Sequence, residues 1–244
     1  MDGELKNLSY RKIKKEYGAP YGKGSVFIDF YACALSPIFT RIALRLKLIP
    51  NTVTIGMILS GIIGAVVFWV PGLHFKIIGT IFIHLWFILD CSDGEVARAT
   101  KHFSNHGEEL DYMAHTFNHP LFTLSFLIAY ILDYNLDLWI ITAFVLTLAA
   151  DVAMRMVYMM LHVDTLKTGT SHSVRWDKSE WTVREMIVFV INIFAQFPNF
   201  ALIYPVIYLI NHDWGKIYLY INSVIAVIYC YVLVIKWIKN IHKQ

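Results

Sequence analysis

The sequence predicts an all-α integral membrane protein with six transmembrane helices preceded by an interfacial amphipathic helix. Of its 244 residues, 57% are hydrophobic and 16% are charged, whereas soluble domains carry about 25% charged residues. Apolar runs long enough to cross a hydrocarbon core of about 30 Å recur along the chain. They lie at 52–70, 74–90, 117–133, 136–162, 186–211 and 215–238. Together they leave no room for a separate soluble domain.

The basic residues predict the orientation of these spans. If the N-terminus is cytoplasmic and the six spans alternate, 18 of the 21 Lys and Arg residues lie in cytoplasmic segments. Lys76 and Lys216 then lie on the opposite side, and Arg155 lies within a span. Such an excess is the positive-inside pattern of multi-pass proteins. We therefore expect a cell (inner) membrane protein whose termini and polar segment at 90–115 face the cytoplasm.

The chain divides into three parts. Residues 1–25 are polar and basic, which predicts a loosely ordered N-terminal arm. Residues 26–48 are apolar but contain Arg41 and Arg45 at i,i+4 spacing. This pattern favours an amphipathic helix lying at the membrane interface over a further span. Residues 49–244 then form one six-helix transmembrane domain.

One polar segment lies between two of the apolar runs. Asp90 and Asp93 are spaced i,i+3 at the end of the second span, so they share a helical face. Gly107, Asp111 and His115 are spaced i,i+4,i+8 at the start of the third span and share another face. Antiparallel neighbouring helices would bring the two faces together at one membrane depth. Three carboxylates and an imidazole are then expected to converge.

Converging carboxylates repel one another unless a cation lies among them. Oxygen ligands suit Mg²⁺, Mn²⁺ or Ca²⁺, and a carboxylate–metal cluster that faces the cytosol commonly serves a phosphate group. The alternative is that the acids form interhelical salt bridges. Only Arg98 and Lys101 lie near them in the sequence as partners. This shortage of basic partners favours a metal site.

The same segment resembles the signature of the CDP-alcohol phosphotransferase family, also called CDP-alcohol phosphatidyltransferases. The motif PNTVTIG at 50–56 also resembles the segment with which this family opens its first span. Six spans after an interfacial helix are the architecture of the family, so the resemblance extends over residues 26–239. The seven matching signature positions, within 22 residues, are Asp90, Asp93, Gly94, Ala97, Arg98, Gly107 and Asp111.

The resemblance implies transfer of a substituted phosphate from a CDP-linked donor to an alcohol hydroxyl, with release of CMP, as in phospholipid biosynthesis. The donor is CDP-diacylglycerol or a CDP-alcohol, and a lipid is expected as one of the two substrates. By position, Asp90, Asp93 and Asp111 are implied as ligands of Mg²⁺ or Mn²⁺. A homodimer is also implied, and nucleic acid is not expected as a partner. The positions implied to contact the nucleotide and its pyrophosphate are Gly94, Ala97, Arg98 and Gly107.

The chain departs from the family pattern at His115. The pattern ends with a fourth Asp, proposed to deprotonate the attacking hydroxyl, and here that group is an imidazole. The reference pKa of imidazole, about 6.5, lies nearer to working pH than that of a carboxyl group. We therefore expect His115 to act as the general base, with Asp111 beside it in the catalytic site. Two alternatives stay open: His115 binds a softer metal ion, or the protein binds nucleotide and metal without turnover.

Other polar residues within the spans have competing interpretations. Asp151 and Arg155, spaced i,i+4 in the fourth span, form an intramembrane ion pair, or Arg155 contacts the acceptor or a phosphate group. His115 and His119 have a spacing that could bind zinc, but no cysteine or HExxH pattern supports it. The basic loop at 163–185 could line the entrance for an anionic substrate or merely be solvated. A transporter is disfavoured because the acids cluster at one membrane face.

Overall fold

The computed structural model describes residues 3–18, 31–135, 137–168, 183–195 and 197–241. Every regular element in these ranges is helical. Two short helices, α1 (Gly3–Lys6) and α2 (Tyr10–Lys12), are followed by a π-helical turn, Ile13–Tyr17. The remaining helices are α3 (Cys33–Arg45), α4 (Pro50–Trp69), α5 (Leu73–Thr100), α6 (Gly107–Asp133), α7 (Leu138–Thr168), α8 (Val183–Ala195), α9 (Phe197–Ile210) and α10 (His212–Ile241).

Four of the described helical segments are long and apolar enough to cross a membrane. They are Pro50–Trp69, Leu73–Thr100, Leu138–Val157 and His212–Lys239, and α9 is a shorter apolar helix. The span predicted at 117–133 lies in α6, whose first turns are polar, and the span predicted at 186–211 is shared by α8 and α9. These helices make the chain a membrane protein. The count of six spans stays a prediction.

The hairpin of α4 and α5 positions half of the predicted site. Pro50 opens α4 in its first turn, where a missing backbone N–H removes no helical hydrogen bond. Gly72, with φ of 116°, provides the turn into α5 because a side chain would strain this backbone conformation. Lys101, with φ of 54°, caps the end of α5. As a result, the start of α4 lies beside the end of α5.

Glycines let the backbones of α4 and α5 touch. A Cβ added to Gly64 would lie 2.8 Å from the backbone nitrogen of Ile83, and one added to Gly79 would lie 2.6 Å from that of Phe68. Small residues at such positions allow close helix packing in membranes. A hydrogen bond from Ser60 Oγ to the carbonyl oxygen of a residue on α5 adds a polar link of 2.8 Å. The two helices therefore form one tightly packed unit.

The N-terminal segment differs from the expectation of a loosely ordered arm over residues 3–18. Leu8 and Ile13 are buried and belong to an apolar cluster with Leu44 of α3 and Val96 of α5. Because these partners lie far away in the sequence, the local basic composition did not indicate this packing. The end of the predicted arm and the start of the predicted interfacial helix lie outside the described residues.

Helix α3 covers Cys33–Arg45 and is amphipathic; the interfacial helix expected at 26–48 stays a prediction. Ile38 and Ile42 are about half exposed on one face, while Ser36 and Thr40 are fully buried on the other. The buried hydroxyls donate to the Glu95 carboxylate of α5, Ser36 at 2.7 Å and Thr40 at 2.5 Å. The apolar face of α3 thus stays turned away from the bundle, which is the arrangement that an interfacial helix requires.

Candidate active site

A cavity of about 470 Å³ opens where α4 begins, α5 ends and α6 begins. Of the residues predicted to bind metal or nucleotide, six line it and two, Asp90 and His115, do not. Its walls also include polar residues from the connection between α5 and α6, which the sequence did not single out. The six predicted residues in its walls are Asp93, Gly94, Ala97, Arg98, Gly107 and Asp111.

Beside this cavity, α5 and α6 bring two carboxylates and an imidazole together. One possible ligand atom each from Asp90, Asp111 and His115 lies within 4.8 Å of the other two. His115 Nε2 lies 3.0 Å from Asp90 Oδ1 and 3.5 Å from Asp111 Oδ1. Asp111 Oδ1 is buried and makes no hydrogen bond within the described residues. Two carboxylates and an imidazole fit a divalent cation such as Mg²⁺ or Mn²⁺, with the imidazole favouring the softer ion.

Asp93 lies one turn further along α5 and has its own partners. Thr54 Oγ1, on α4, donates to Asp93 Oδ2 at 2.7 Å, and the backbone N–H of Gly94 donates to Asp93 Oδ1 at 2.5 Å. The compact group of possible ligands among the described residues is thus Asp90, Asp111 and His115, whereas the sequence predicted Asp90, Asp93 and Asp111. Thr54 is a site residue that sequence reasoning missed, although it lies in the quoted motif at 50–56.

The arginine and glycines of the signature shape the wall of the cavity. The guanidinium of Arg98 lies over Gly94, where an added Cβ would be 2.9 Å from Arg98 Nη1. A Cβ at Gly107 would meet only Ser104 Cβ, at an ordinary 3.6 Å. A side chain at 94 would therefore displace the Arg98 guanidinium, whereas one at 107 would meet only an ordinary contact. The nucleotide contact predicted for Gly107 stays a prediction.

A chain of polar contacts continues from the acidic group into the bundle. His115 Nδ1 lies 3.3 Å from His119 Nε2, and His119 Nδ1 contacts Arg155 Nη2. Arg155 Nε in turn donates to Asp151 Oδ2 at 3.1 Å. The ion pair of Asp151 and Arg155, one of the two expected arrangements, is therefore formed. Arg155 does not line the cavity, and a contact to a phosphate group there would require it to leave these partners.

Sequence reasoning weighed His119 only as part of a zinc pair. The structure instead places it, fully buried, between His115 and Arg155, with Trp86 packed edge-on against both histidine rings at centroid distances of 4.8 and 5.2 Å. The sequence contains a hint of this polar chain, because His115 and His119 share one helical face, and Asp151 and Arg155 share another. Glu95, which the sequence analysis did not single out, accepts hydrogen bonds from Ser36 and Thr40 of α3.

The described part of the chain is helical, has four helices that are long and apolar enough to cross a membrane, and forms a cavity lined by acidic residues. These features define a helical membrane protein with a candidate site for a charged ligand. The sequence model of the CDP-alcohol phosphatidyltransferase family matches residues 47–235, and the chain belongs to that family. This confirms the resemblance seen in the signature. Membership supports transferase activity, and the family generally uses divalent metals. The comparison with curated proteins gives no match.

Proposed function

We propose that this protein transfers a substituted phosphate from a CDP-linked donor to an alcohol hydroxyl in phospholipid biosynthesis, releasing CMP in a metal-dependent reaction. The observation that carries the proposal is the convergence of Asp90, Asp111 and His115 within 4.8 Å beside a cavity. Arg98 lines this cavity and brings a permanent positive charge to it. Acids for a cation and a guanidinium for phosphate are the two groups that phosphoryl transfer needs.

The residues present fit a divalent cation. Asp90, Asp93 and Asp111 are the proposed ligands, and Thr54 orients the Asp93 carboxylate by its hydrogen bond. A bound Mg²⁺ or Mn²⁺ supplies charge neutralisation for the pyrophosphate and for the departing CMP. Arg98, Gly94 and the neighbouring backbone hold the nucleotide side of the donor. Asp111 lies both in the cavity wall and in the group with Asp90 and His115, so a cation that it binds would lie beside the donor in the cavity.

His115 is the proposed general base. In this role the hydroxyl proton passes to His115 Nε2, the acceptor oxygen forms a bond to phosphorus, and the bond to the CMP oxygen breaks. Nε2 must then be free of hydrogen, so Nδ1 carries the hydrogen and donates to His119. His119 must in turn carry its hydrogen on Nδ1, and Asp151 Oδ1, 3.8 Å away, must move closer to accept it. The base role thus requires Arg155 to release His119 Nδ1.

The test is release of CMP by purified protein from CDP-diacylglycerol, and separately from water-soluble CDP-alcohols, against a panel of alcohol acceptors. His115→Ala is expected to lower turnover by about 10²- to 10⁴-fold, the usual contribution of a general base. His115→Asp restores the family's group and is expected to retain activity. Unimpaired turnover of His115→Ala would refute the base role. Asp111→Asn is expected to abolish activity, and normal metal-dependent turnover of this variant would exclude it as a ligand.

One observation favours a second candidate function, a nucleotide- and metal-binding membrane protein with impaired catalysis. His115 Nε2 lies 3.0 Å from Asp90 Oδ1, and because a carboxylate only accepts hydrogen bonds, this contact places a hydrogen on Nε2 of His115. The other ring nitrogen, Nδ1, lies 3.3 Å from His119 Nε2 and is engaged there. In that arrangement His115 has no free lone pair for a hydroxyl proton. CDP binding without CMP release against every acceptor would establish this function.

We further propose the membrane arrangement predicted from the sequence. Residues 1–25 form a basic arm, 26–48 an interfacial helix, and 49–244 a six-span catalytic domain whose site faces the cytoplasm of a cell (inner) membrane. The amphipathic face of α3 and the basic residues on one side support this arrangement. Reporter fusions at both termini test the orientation. The family resemblance implies a homodimer, which the mass of the detergent-solubilised protein tests.

A further inference from the structure

We propose that the N-terminal segment, residues 3–18, is a positioning element for the donor site, because its Tyr17 carbonyl holds the guanidinium of Arg98 at the cavity wall. The identity of the ligand rests on the proposed function, since the pyrophosphate of a CDP-linked donor is the anion that Arg98 would meet. The inference concerns the segment itself, which lies outside the signature and outside the transmembrane helices.

The first observation is the contact that Arg98 makes with the segment. Arg98 Nε donates to the carbonyl oxygen of Tyr17 at 2.6 Å, a hydrogen bond between residues 81 positions apart. Arg98 Nη2 is buried and makes no hydrogen bond within the described residues. Gly94 allows the guanidinium to lie against α5, and Arg98 lines the cavity. One donor of the guanidinium is thus fixed by the backbone of the segment, and Nη2 has no partner among the described residues that would compete with the oxygens of a phosphate group.

The second observation is the neutral character of this partner. Glu95, spaced i,i+3 from Arg98 on α5, is the acid that would ordinarily pair with it. Its two carboxylate oxygens instead accept hydrogen bonds from Ser36 and Thr40 of α3. Within the described ranges no carboxylate forms a salt bridge with Arg98. A carbonyl oxygen orients the guanidinium without neutralising it, so its charge remains available for phosphate oxygens.

The third observation is that the segment is anchored independently of Arg98. Leu8 and Ile13 are buried against residues of α3 and α5. The hydroxyl of Tyr10 donates to the carbonyl oxygen of Ala34 at 2.7 Å, which adds a polar tie near the start of α3. The carbonyl of Tyr17 is therefore placed by apolar packing four residues before it. Weakening that packing is expected to release Arg98 without touching the cavity.

The test measures binding of CDP in the presence of Mg²⁺ to the full-length protein. Ile13→Ala and Leu8→Ala remove packing without burying a charge, so the transmembrane helices are expected to remain folded, and the midpoint of thermal unfolding of each variant checks this. Each is expected to weaken CDP binding about tenfold, the scale of one hydrogen bond to a charged group. The matched control is Ile38→Ala, the same substitution at a side chain that is 47% exposed, which is expected to leave CDP binding unchanged.

A double-mutant cycle shows whether the segment acts through Arg98. In an Arg98→Ala background, Ile13→Ala is expected to cause no further weakening of CDP binding. Equal weakening in both backgrounds would overturn the inference, and so would unchanged binding in both single packing variants. If the wild-type protein binds CDP but releases no CMP, the proposed transfer fails while the binding data still decide the role of the segment. A wild-type protein that binds no CDP would overturn both.

Discussion

The hydrogen bond between Thr54 and Asp93 makes a sharp prediction about metal affinity. Thr54 is 4% exposed, and its Oγ1 donates to Asp93 Oδ2 at 2.7 Å. Thr54→Val keeps the shape of the side chain and removes this donor. A hydrogen bond to a charged group contributes about 1.5–3 kcal/mol, and loss of a partner that orients a metal ligand costs about 10- to 100-fold in metal affinity. The free energy of the hydrogen bond and the expected loss of affinity agree, because a tenfold change in affinity corresponds to about 1.4 kcal/mol.

The assay is the dependence of CMP release on Mg²⁺ or Mn²⁺ concentration, together with direct Mn²⁺ binding followed by electron paramagnetic resonance. The half-saturating metal concentration is expected to rise about 10- to 100-fold in Thr54→Val. Thr52→Val, at an exposed position on the same helix, is the matched control and should behave as wild type. Identical metal dependence in the wild type and both variants would refute the assignment of Asp93 as a ligand oriented by Thr54.

Three further predictions concern the bundle and the metal. Gly79→Ala places a Cβ 2.6 Å from the backbone nitrogen of Phe68, and overpacking of this kind costs about 1–3 kcal/mol, so the midpoint of thermal unfolding should fall. Gly56→Ala, whose Cβ would meet nothing within 4 Å, is its control. Asp133→Asn removes the charge 2.9 Å from buried Lys76 Nζ, a loss of about 3 kcal/mol in unfolding free energy in the same assay. Chelation by EDTA should abolish CMP release, and added Mg²⁺ or Mn²⁺ should restore it.

Each of these predictions has a contrary outcome. An unchanged unfolding midpoint in Gly79→Ala would mean that the backbones of α4 and α5 are further apart than described. Asp213 is an exposed acid and serves as the control for Asp133. If Asp213→Asn lowered the unfolding free energy as much as Asp133→Asn does, the buried pair of Lys76 and Asp133 would have no special role in stability. Sustained turnover in excess EDTA would contradict metal dependence.

The sequence predicted the membrane class and the family because both depend on local information. Each apolar run is recognisable from about 20 consecutive residues, and the signature falls within 22 residues. The convergence of Asp90, Asp111 and His115 was also predictable, since helical spacing fixes which side chains share a face. Two neighbouring helices then needed only to be antiparallel for these side chains to meet.

The remaining features depend on contacts that spacing does not encode. The partner of Asp93 is Thr54, 39 residues away, and this pairing requires the register between α4 and α5. The same holds for Tyr17 and Arg98, whose contact requires the fold of a segment with a basic, unremarkable composition. Asp93 lies outside the compact group of Asp90, Asp111 and His115, and its carboxylate is held by Thr54 and the backbone of Gly94 instead. Patterns of residue type carry no information at that level.

The contact of backbones at Gly64 and Gly79 limits how a lipid enters the site. Two helices in such contact leave no gap wide enough for an acyl chain, and a sliding motion between them would drive one main chain into the other. This contact lies near the turn between the two helices, and the hydrogen bond from Thr54 to Asp93 joins them again beside the cavity. For the proposed lipid-linked substrate, we therefore expect entry along another side of the bundle.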